Sequence, residues 1–325
     1  MQRGRVEEIA RAIKAMDIRY VFIAARGTSE NAARFANYLL GAMNGLPVAL
    51  AAPSLFTYYT PPRLQGALVV GISQSGRSPD IVSVVKEGRR QGCLTLAITN
   101  EMNSPLAESA EFALDIKAGQ EDCVAATKTY TAQLMAIAML SAALLNHESS
   151  WDQLSLVPDW VQMAFEFESQ MPDLVHRYQS MSNCIVLGRG FDYATAFEWA
   201  LKLKELTYVE AEPYSSADFQ HGPIALVDGG FPILAVIHKG PIYASMMDVL
   251  RKMKQERSAE LVVISDSAEA LHVAQTSLSI PPEVPEWLSP LVSIIPAQLF
   301  CYHLAVAKGC DPETPRGMLK VTETR

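Results

Sequence analysis

The chain has 325 residues, 49% of them hydrophobic, and a formal net charge of -8 from 27 Lys+Arg against 35 Asp+Glu. That much apolar side chain excludes a disordered chain and suffices for two cores, so two domains of roughly 150 residues are expected. The acidic balance argues against a nucleic-acid or anionic-membrane partner, so an anion, if bound, must be held by a local device.

The opening MQRGRVEEIARAIKAM is amphipathic and carries acids, unlike a signal peptide. Residues 20–25 (YVFIAA) form a buried-strand run ending at Arg26-Gly27-Thr28-Ser29, and a helical pattern follows to about residue 43. A second run over 67–72 ends at Ser73-Gln74-Ser75-Gly76. A helix from Ser78 to about Arg90 comes next, with Pro79 suited to its first turn, and then the strand CLTLAIT at 93–99. The helix over 128–146 is apolar nearly all round and reads as core or dimer interface, interrupted by Lys128, Thr129 and Gln133. The other apolar stretches are short or broken, so no membrane span is expected. Five cysteines (Cys93, Cys123, Cys184, Cys301, Cys310) form no C-x-x-C pair. Neither a disulfide framework nor a zinc ribbon is indicated, and reduced thiols in a cytoplasmic protein are the expectation.

The second half repeats the grammar of the first. VFIAARG ending at Gly27 returns as CIVLGRG ending at Gly190, an offset of 163. The strand before Gly76 matches FPILAVIHKG ending at Gly240, and CLTLAIT matches ELVVIS ending at Ser265, offsets of 164 and 166. Short apolar runs alternating with amphipathic helices predict α/β units with parallel sheets flanked by helices, a three-layer sandwich in each copy. The domains are set at 1–155 and 156–325, with the boundary where HESSWDQLSLVPD breaks the pattern. The competing reading is two unrelated α/β domains.

Ligands of parallel α/β sheets sit at the carboxyl ends of the strands. Two such ends in the first copy are rich in Gly and hydroxyls: Gly27-Thr28-Ser29 and Ser73-Gln74-Ser75-Gly76-Arg77-Ser78. Free N–H groups and a positive helix end there favour a dianion, with hydroxyls adding short donors. Helix capping by Ser29 and Ser78 is the simpler account of either turn alone. In the second copy the S-Q-S-G turn has become Ile237-His238-Lys239-Gly240. The fold does not require the hydroxyls, which points to a ligand in the first copy only.

At these residues the chain resembles the SIS (sugar isomerase) domain family, in two tandem copies covering nearly its whole length. Within that family it is closest to the isomerase half of the glutamine–fructose-6-phosphate amidotransferases and to stand-alone SIS-type glucosamine-6-phosphate deaminases. The resemblance implies that Thr28, Ser29, Ser73, Gln74, Ser75 and Ser78 take a sugar phosphate. The segment Ala118–Thr129 (AGQEDCVAATKT) is similar to a family loop that touches the sugar, at positions falling on Val124 and Ala126. Ala126 stands where amidotransferases often carry Ser, and Arg77 where the biosynthetic enzymes carry an acid.

Glu198, Lys202 and Glu205 are spaced to share one helical face. A solvated salt-bridge face is the plain reading of that spacing. The stretch also matches the family's L-K-x-K-E segment, which implies Glu205 as catalytic base, with Lys202 at developing charge and Glu198 toward the sugar. Burial is expected to raise the Glu205 pKa. His221, in Q-H-G-P, is similar to the family's ring-opening His, which reaches the neighbouring subunit's site and so implies a homodimer. The tail Gly309–Lys320 has no period and reads alone as a frayed terminus. It resembles the family's closing D-P-x-x-P-R segment, which implies a lid, with Lys320 as an amine near the substrate carbonyl.

The implied chemistry is isomerisation coupled to deamination of glucosamine 6-phosphate, giving fructose 6-phosphate and ammonia. The expected partners are the phosphosugar and a second copy of the chain, with no nucleic acid or membrane. No cofactor or metal is expected: the sequence has no G-x-G-x-x-G, Walker lysine or compact ligand cluster. Deamination is the expected direction because no ammonia-generating domain precedes the first strand. The alternatives are fructosamine-6-phosphate deglycation, galactosamine-6-phosphate deamination and isomerisation, or the isomerase component of glucosamine-6-phosphate synthesis. A non-catalytic sugar-phosphate sensor is a further alternative.

Overall fold

The computed structural model describes residues 2–318 and Lys320. It divides into two compact units. The first comprises residues 2–122, 126–154 and Lys320; the second comprises 123–125 and 155–318.

The first unit carries β1 (Tyr20–Ala24), β2 (Val48–Leu50), β3 (Ala67–Ile72), β4 (Leu94–Thr99) and β5 (Phe112–Asp115). All pairings are parallel and the order is β2-β1-β3-β4-β5. Every residue of β3 and β4 is buried, as expected of central strands covered by helices on both faces. The helix Pro79–Arg90 lays Ile81, Val82, Val84 and Val85 on one face of the sheet, against Val69 and Ala97. The helix Lys128–Leu145 packs with Thr28–Asn44 and Arg3–Lys14. It is a core helix, as its all-round apolar surface requires.

The second unit repeats this plan with β6 (Asn183–Gly188), β7 (Glu210–Ser215), β8 (Pro232–Ile237), β9 (Glu260–Ser265) and β10 (Thr276–Ser279). Its order, β10-β9-β8-β6-β7, is also all parallel. Counted from the first strand of each unit, both sheets read 2-1-3-4-5, a doubly wound order with its switch point between the first and third strands. One α/β unit has been used twice. Two helices, Lys128–Leu145 and Glu286–Ala307, have the length and hydropathy of membrane spans, but 67% of each is buried inside the protein.

Two local expectations need correction. The segment around HESSWDQLSLVPD does not break the helical pattern; Glu148–Ala164 is helix, with Pro158 inside it. The helical face shared by Glu198, Lys202 and Glu205 is not that of one regular α-helix, which ends at Lys202. A π-helical segment, Leu203–Thr207, leads through Tyr208 at φ +56° into β7. β7 is an edge strand, where Pro213 is tolerated because its missing N–H is not needed by an inner neighbour.

Candidate active site

The first unit brings the two hydroxyl turns together. One follows β1 and the other β3, adjacent strands on either side of the switch point. The helices they open start at Thr28 and Pro79, and neither N-cap, Gly27 or Ser78, makes a side-chain capping bond. Capping therefore does not explain the hydroxyls. Ser29 Oγ accepts from Gln133 Nε2 at 3.0 Å, Ser73 Oγ from Gly76 N at 3.2 Å, and Ser75 Oγ from Arg77 N at 3.3 Å. Each of these oxygens spends a lone pair on an N–H and keeps its O–H proton to donate. Ser78 Oγ lies 3.4 Å from Ser73 Oγ, and Thr28 is half-buried at the start of its helix. Arg26 Nε donates to Asp80 Oδ2 at 2.8 Å, tying the first turn to the helix that follows the second.

Beside the second turn lies an open cleft of about 890 Å³, lined among others by Gln74, Ser75, Arg77, Asn100, Glu121 and Lys320. Glu121 is its anchor. The buried carboxylate accepts from Thr127 N (3.0 Å), Thr129 N (3.2 Å) and Thr129 Oγ1 (2.7 Å), and pairs with Lys320 Nζ at 3.3 Å. Burial alone would raise its pKa, but these hydrogen bonds and the ammonium outweigh it and hold the pKa below the usual value. The Lys320 amine is thus at a carboxylate rather than unpaired, as a Schiff-base lysine would need to be. Leu319, part of the expected lid, and residues 321–325 lie outside the described residues. Ala126 belongs to the first unit and Val124 to the second.

The second unit brings Glu198, Lys202 and Glu205 together. Lys202 Nζ sits 3.3 Å from Glu198 Oε1 and 2.5 Å from Glu205 Oε2. The side chains are 0%, 1% and 16% exposed for Glu198, Lys202 and Glu205. This is a buried ion triad, not a solvated face. Burial disfavours the Lys202 charge, but the two carboxylates outweigh it and its pKa is raised. Glu205 sits on the π-helical segment, a distortion frequent at functional sites, and is paired instead of standing alone in an apolar pocket. Three residues on, Tyr208 receives the tail: Arg316 N donates to its hydroxyl at 2.9 Å, and the guanidinium lies 3.9 Å above its ring.

His221 does not join this group within the unit. Glu205 precedes β7 and His221 follows it, in an exposed turn after the short helix Ser216–Phe219. The six residues of β7 span roughly 20 Å, so the two side chains belong to opposite edges of the sheet. The helix Asp192–Lys202 does start at the carboxyl edge, as its strand-end glycine predicts, but it carries Glu205 back to the amino edge.

The switch point of the second sheet is filled by the chain itself. His238 is buried, with Nε2 3.0 Å from Val284 O and 3.6 Å from Asp266 Oδ2. Asp192 accepts from Ser289 Oγ at 2.8 Å, and a Cβ on Gly240 would lie 2.6 Å from the Glu286 carboxyl carbon. Burial raises the pKa values of Asp192 and Glu286. These groups take the place that the hydroxyl turns have in the first unit. All five cysteines are free. Sequence reasoning missed Gln133, Arg26, Asp80 and Glu121. No local motif marks them, because their partners lie 6 to 199 residues away.

The model of the SIS domain matches residues 16–143 and 178–308, and the chain belongs to the SIS domain family. It is 36% identical over 318 residues to the isomerizing glutamine–fructose-6-phosphate aminotransferase of Methanothermobacter thermautotrophicus, covering 98% of this chain and 52% of that protein. The chain spans about half the length of the curated relatives it matches. Its fold superposes with a TM-score of 0.87 and 28% identity on the C-terminal domain of glucosamine–fructose-6-phosphate aminotransferase from Francisella tularensis, covering 97% of this chain and 96% of that one. A glucosamine-6-phosphate deaminase from Thermotoga maritima shares the fold, with a TM-score of 0.77 at 18% identity, covering 99% of this chain and 97% of that one.

Proposed function

We propose that this chain is an amino-sugar-phosphate isomerase, interconverting fructose 6-phosphate plus ammonia with glucosamine 6-phosphate plus water. Of the two directions considered from sequence, the relatives favour the synthetic one. They are named as aminotransferases across 98% of the chain, whereas the deaminase likeness is one of fold. The observation that carries the reading is the coincidence of both hydroxyl turns with the switch point of the first sheet, where such folds bind ligands.

The residues take the following parts. Thr28, Ser29, Ser73, Gln74, Ser75 and Ser78 hold the phosphate through hydroxyls, a side-chain amide and helix N–H groups. Val124, Ala126 and Glu198 border the sugar. His221 moves the proton that opens the ring. Ammonia adds to the C2 carbonyl and water leaves, giving an imine. Glu205 then takes a proton from C1, giving an enaminol across C1 and C2, and returns a proton to C2, while Lys202 holds that carboxylate in position. As C2 takes the proton, the C1 hydroxyl gives up its own, through solvent, to the imine-derived nitrogen, which leaves the aldehyde and the amine of glucosamine 6-phosphate. Lys320 stabilises charge developing on O1 after leaving Glu121. Because His221 and Glu205 of one chain occupy opposite sheet edges, the His221 that serves a given Glu205 belongs to a second copy, in a homodimer.

The test is to incubate the protein with fructose 6-phosphate and ammonium in D2O. Glucosamine 6-phosphate is expected, carrying deuterium at C2 to the extent that the proton on Glu205 exchanges with solvent before transfer, and the reverse reaction should release ammonia from glucosamine 6-phosphate. Failure to form either product, with no deuterium entering fructose 6-phosphate, would defeat the reading.

A further inference from the structure

The turns at the first switch point supply hydroxyls and N–H dipoles, which attract an anion but carry no formal charge. A phosphomonoester brings two negative charges into a chain whose own balance is -8. Four charged side chains stand in these turns or open the helices after them: Arg26, Glu30, Arg77 and Asp80. Glu30 is spent on Arg34 at 2.8 Å. Arg77 is exposed and lines the neighbouring cleft. Arg26 and Asp80 pair with each other across the switch point, since Arg26 follows β1 and Asp80 stands in the first turn after β3.

That pair is asymmetric. The Asp80 side chain is 2% exposed and that of Arg26 is 48% exposed. The contact uses Nε alone, at 2.8 Å, and among the described residues the two Nη groups of Arg26 meet no acceptor. A pair built only to neutralise a buried carboxylate is best served by the two-pronged face of the guanidinium. Here the carboxylate grips one edge and leaves the fork unspent, one residue before Gly27 at the mouth of the crevice. A planar fork of N–H donors matches two phosphate oxygens at once, which an ammonium cannot do.

We propose that Arg26 binds the substrate phosphate through its Nη groups, with Asp80 as the positioning residue that holds the guanidinium between the two turns. The assignment rests on reading this crevice as a phosphosugar site. It supplies the positive charge that the hydroxyl turns lack, and it limits the ligand class to phosphomonoesters over neutral sugars.

The experiment titrates the full chain with inorganic phosphate by calorimetry, for wild type, R26Q, R26K and D80N, and measures KM for fructose 6-phosphate alongside. R26Q is expected to bind phosphate about 10- to 100-fold more weakly, the range of a lost charged hydrogen-bond pair. R26K keeps a cation against Asp80 but loses the fork; it is expected to fold and to bind about 10-fold more weakly. D80N should weaken binding by less than R26Q. In each variant KM should carry most of the loss. Wild-type phosphate affinity and an unchanged KM in folded R26K would overturn the proposal, reducing Arg26 to a counterion of Asp80; if R26Q does not fold, R26K decides. Phosphate binding that depends on Arg26, in a protein that converts no fructose 6-phosphate, would remove the proposed reaction and leave this assignment standing.

Discussion

Gly76 is confined to glycine by two constraints at once. Its φ is +62°, and a Cβ would fall 2.1 Å from Ser104 Oγ and 2.6 Å from Ser104 Cβ. Ser104 cannot swing clear, because it is fully buried and its Oγ accepts from Ala107 N at the start of the helix Pro105–Ser109. Gly76→Ala is therefore expected to cost ~2–4 kcal/mol in urea unfolding and to weaken phosphate binding with it. An unchanged urea midpoint would count against the packing argument. Glu121 has the opposite character: its value lies in charge. Its folded-state pKa is depressed, so its contribution is present above the unfolded value of about 4.3 and is lost as pH falls through the folded one. Glu121→Gln should lose stability at neutral pH and flatten the fall in stability below about pH 4. Parallel acid-unfolding curves for the two proteins would refute this.

The junction of helix Asp192–Lys202 with its π-helical extension decides the setting of Glu205. Regular spacing alone places Glu198, Lys202 and Glu205 on one face, and they do meet, but as a buried triad. Removing the cation from between two carboxyl groups leaves Glu198 fully buried without the Lys202 ammonium. Lys202→Met is expected to cost ~3–5 kcal/mol and to abolish turnover. Adding Glu198→Gln to it should recover much of the stability and none of the activity; recovery of activity would detach Lys202 from the chemistry. Strands differ in how far they could be read. β3, β4, β8 and β9 are buried on both faces and show as apolar runs. The edge strands β2, β7 and β10 are shorter or polar, as EAEPYS in β7 illustrates, and carry no such signal. Helix Ser289–Ala307 was hidden by its two prolines and its uniformly apolar surface, which leave no period to detect.

Duplication gives this chain two switch points and only one set of hydroxyl turns. The second is occupied by His238, Asp266, Glu286 and the Asp192–Ser289 pair, which serve packing there. The opposite placement of Glu205 and His221 on the second sheet has a direct consequence for assembly. In the proposed homodimer, Glu205→Gln and His221→Ala proteins, each inactive alone, should regain up to about a quarter of wild-type activity when co-expressed, because half the dimers would be mixed and each of those would hold one intact site. Mixed dimers without activity would mean that both residues of a site come from one chain, and an active His221→Ala protein would mean that His221 plays no part.

The sequence by itself determined the duplicated α/β plan, its central strands, the two hydroxyl turns and the Glu198–Lys202–Glu205 grouping. All of these follow from short-range pattern: apolar runs buried on two faces, glycine-hydroxyl punctuation, and the angular step of a helix. Tertiary structure alone decided which groups those residues meet. The Gln133 bond that frees the Ser29 proton, the Glu121 clamp on Lys320, the Arg26–Asp80 strut and the separation of His221 from Glu205 all join or part segments distant along the chain. Such meetings depend on strand order, and no local stretch of sequence encodes strand order.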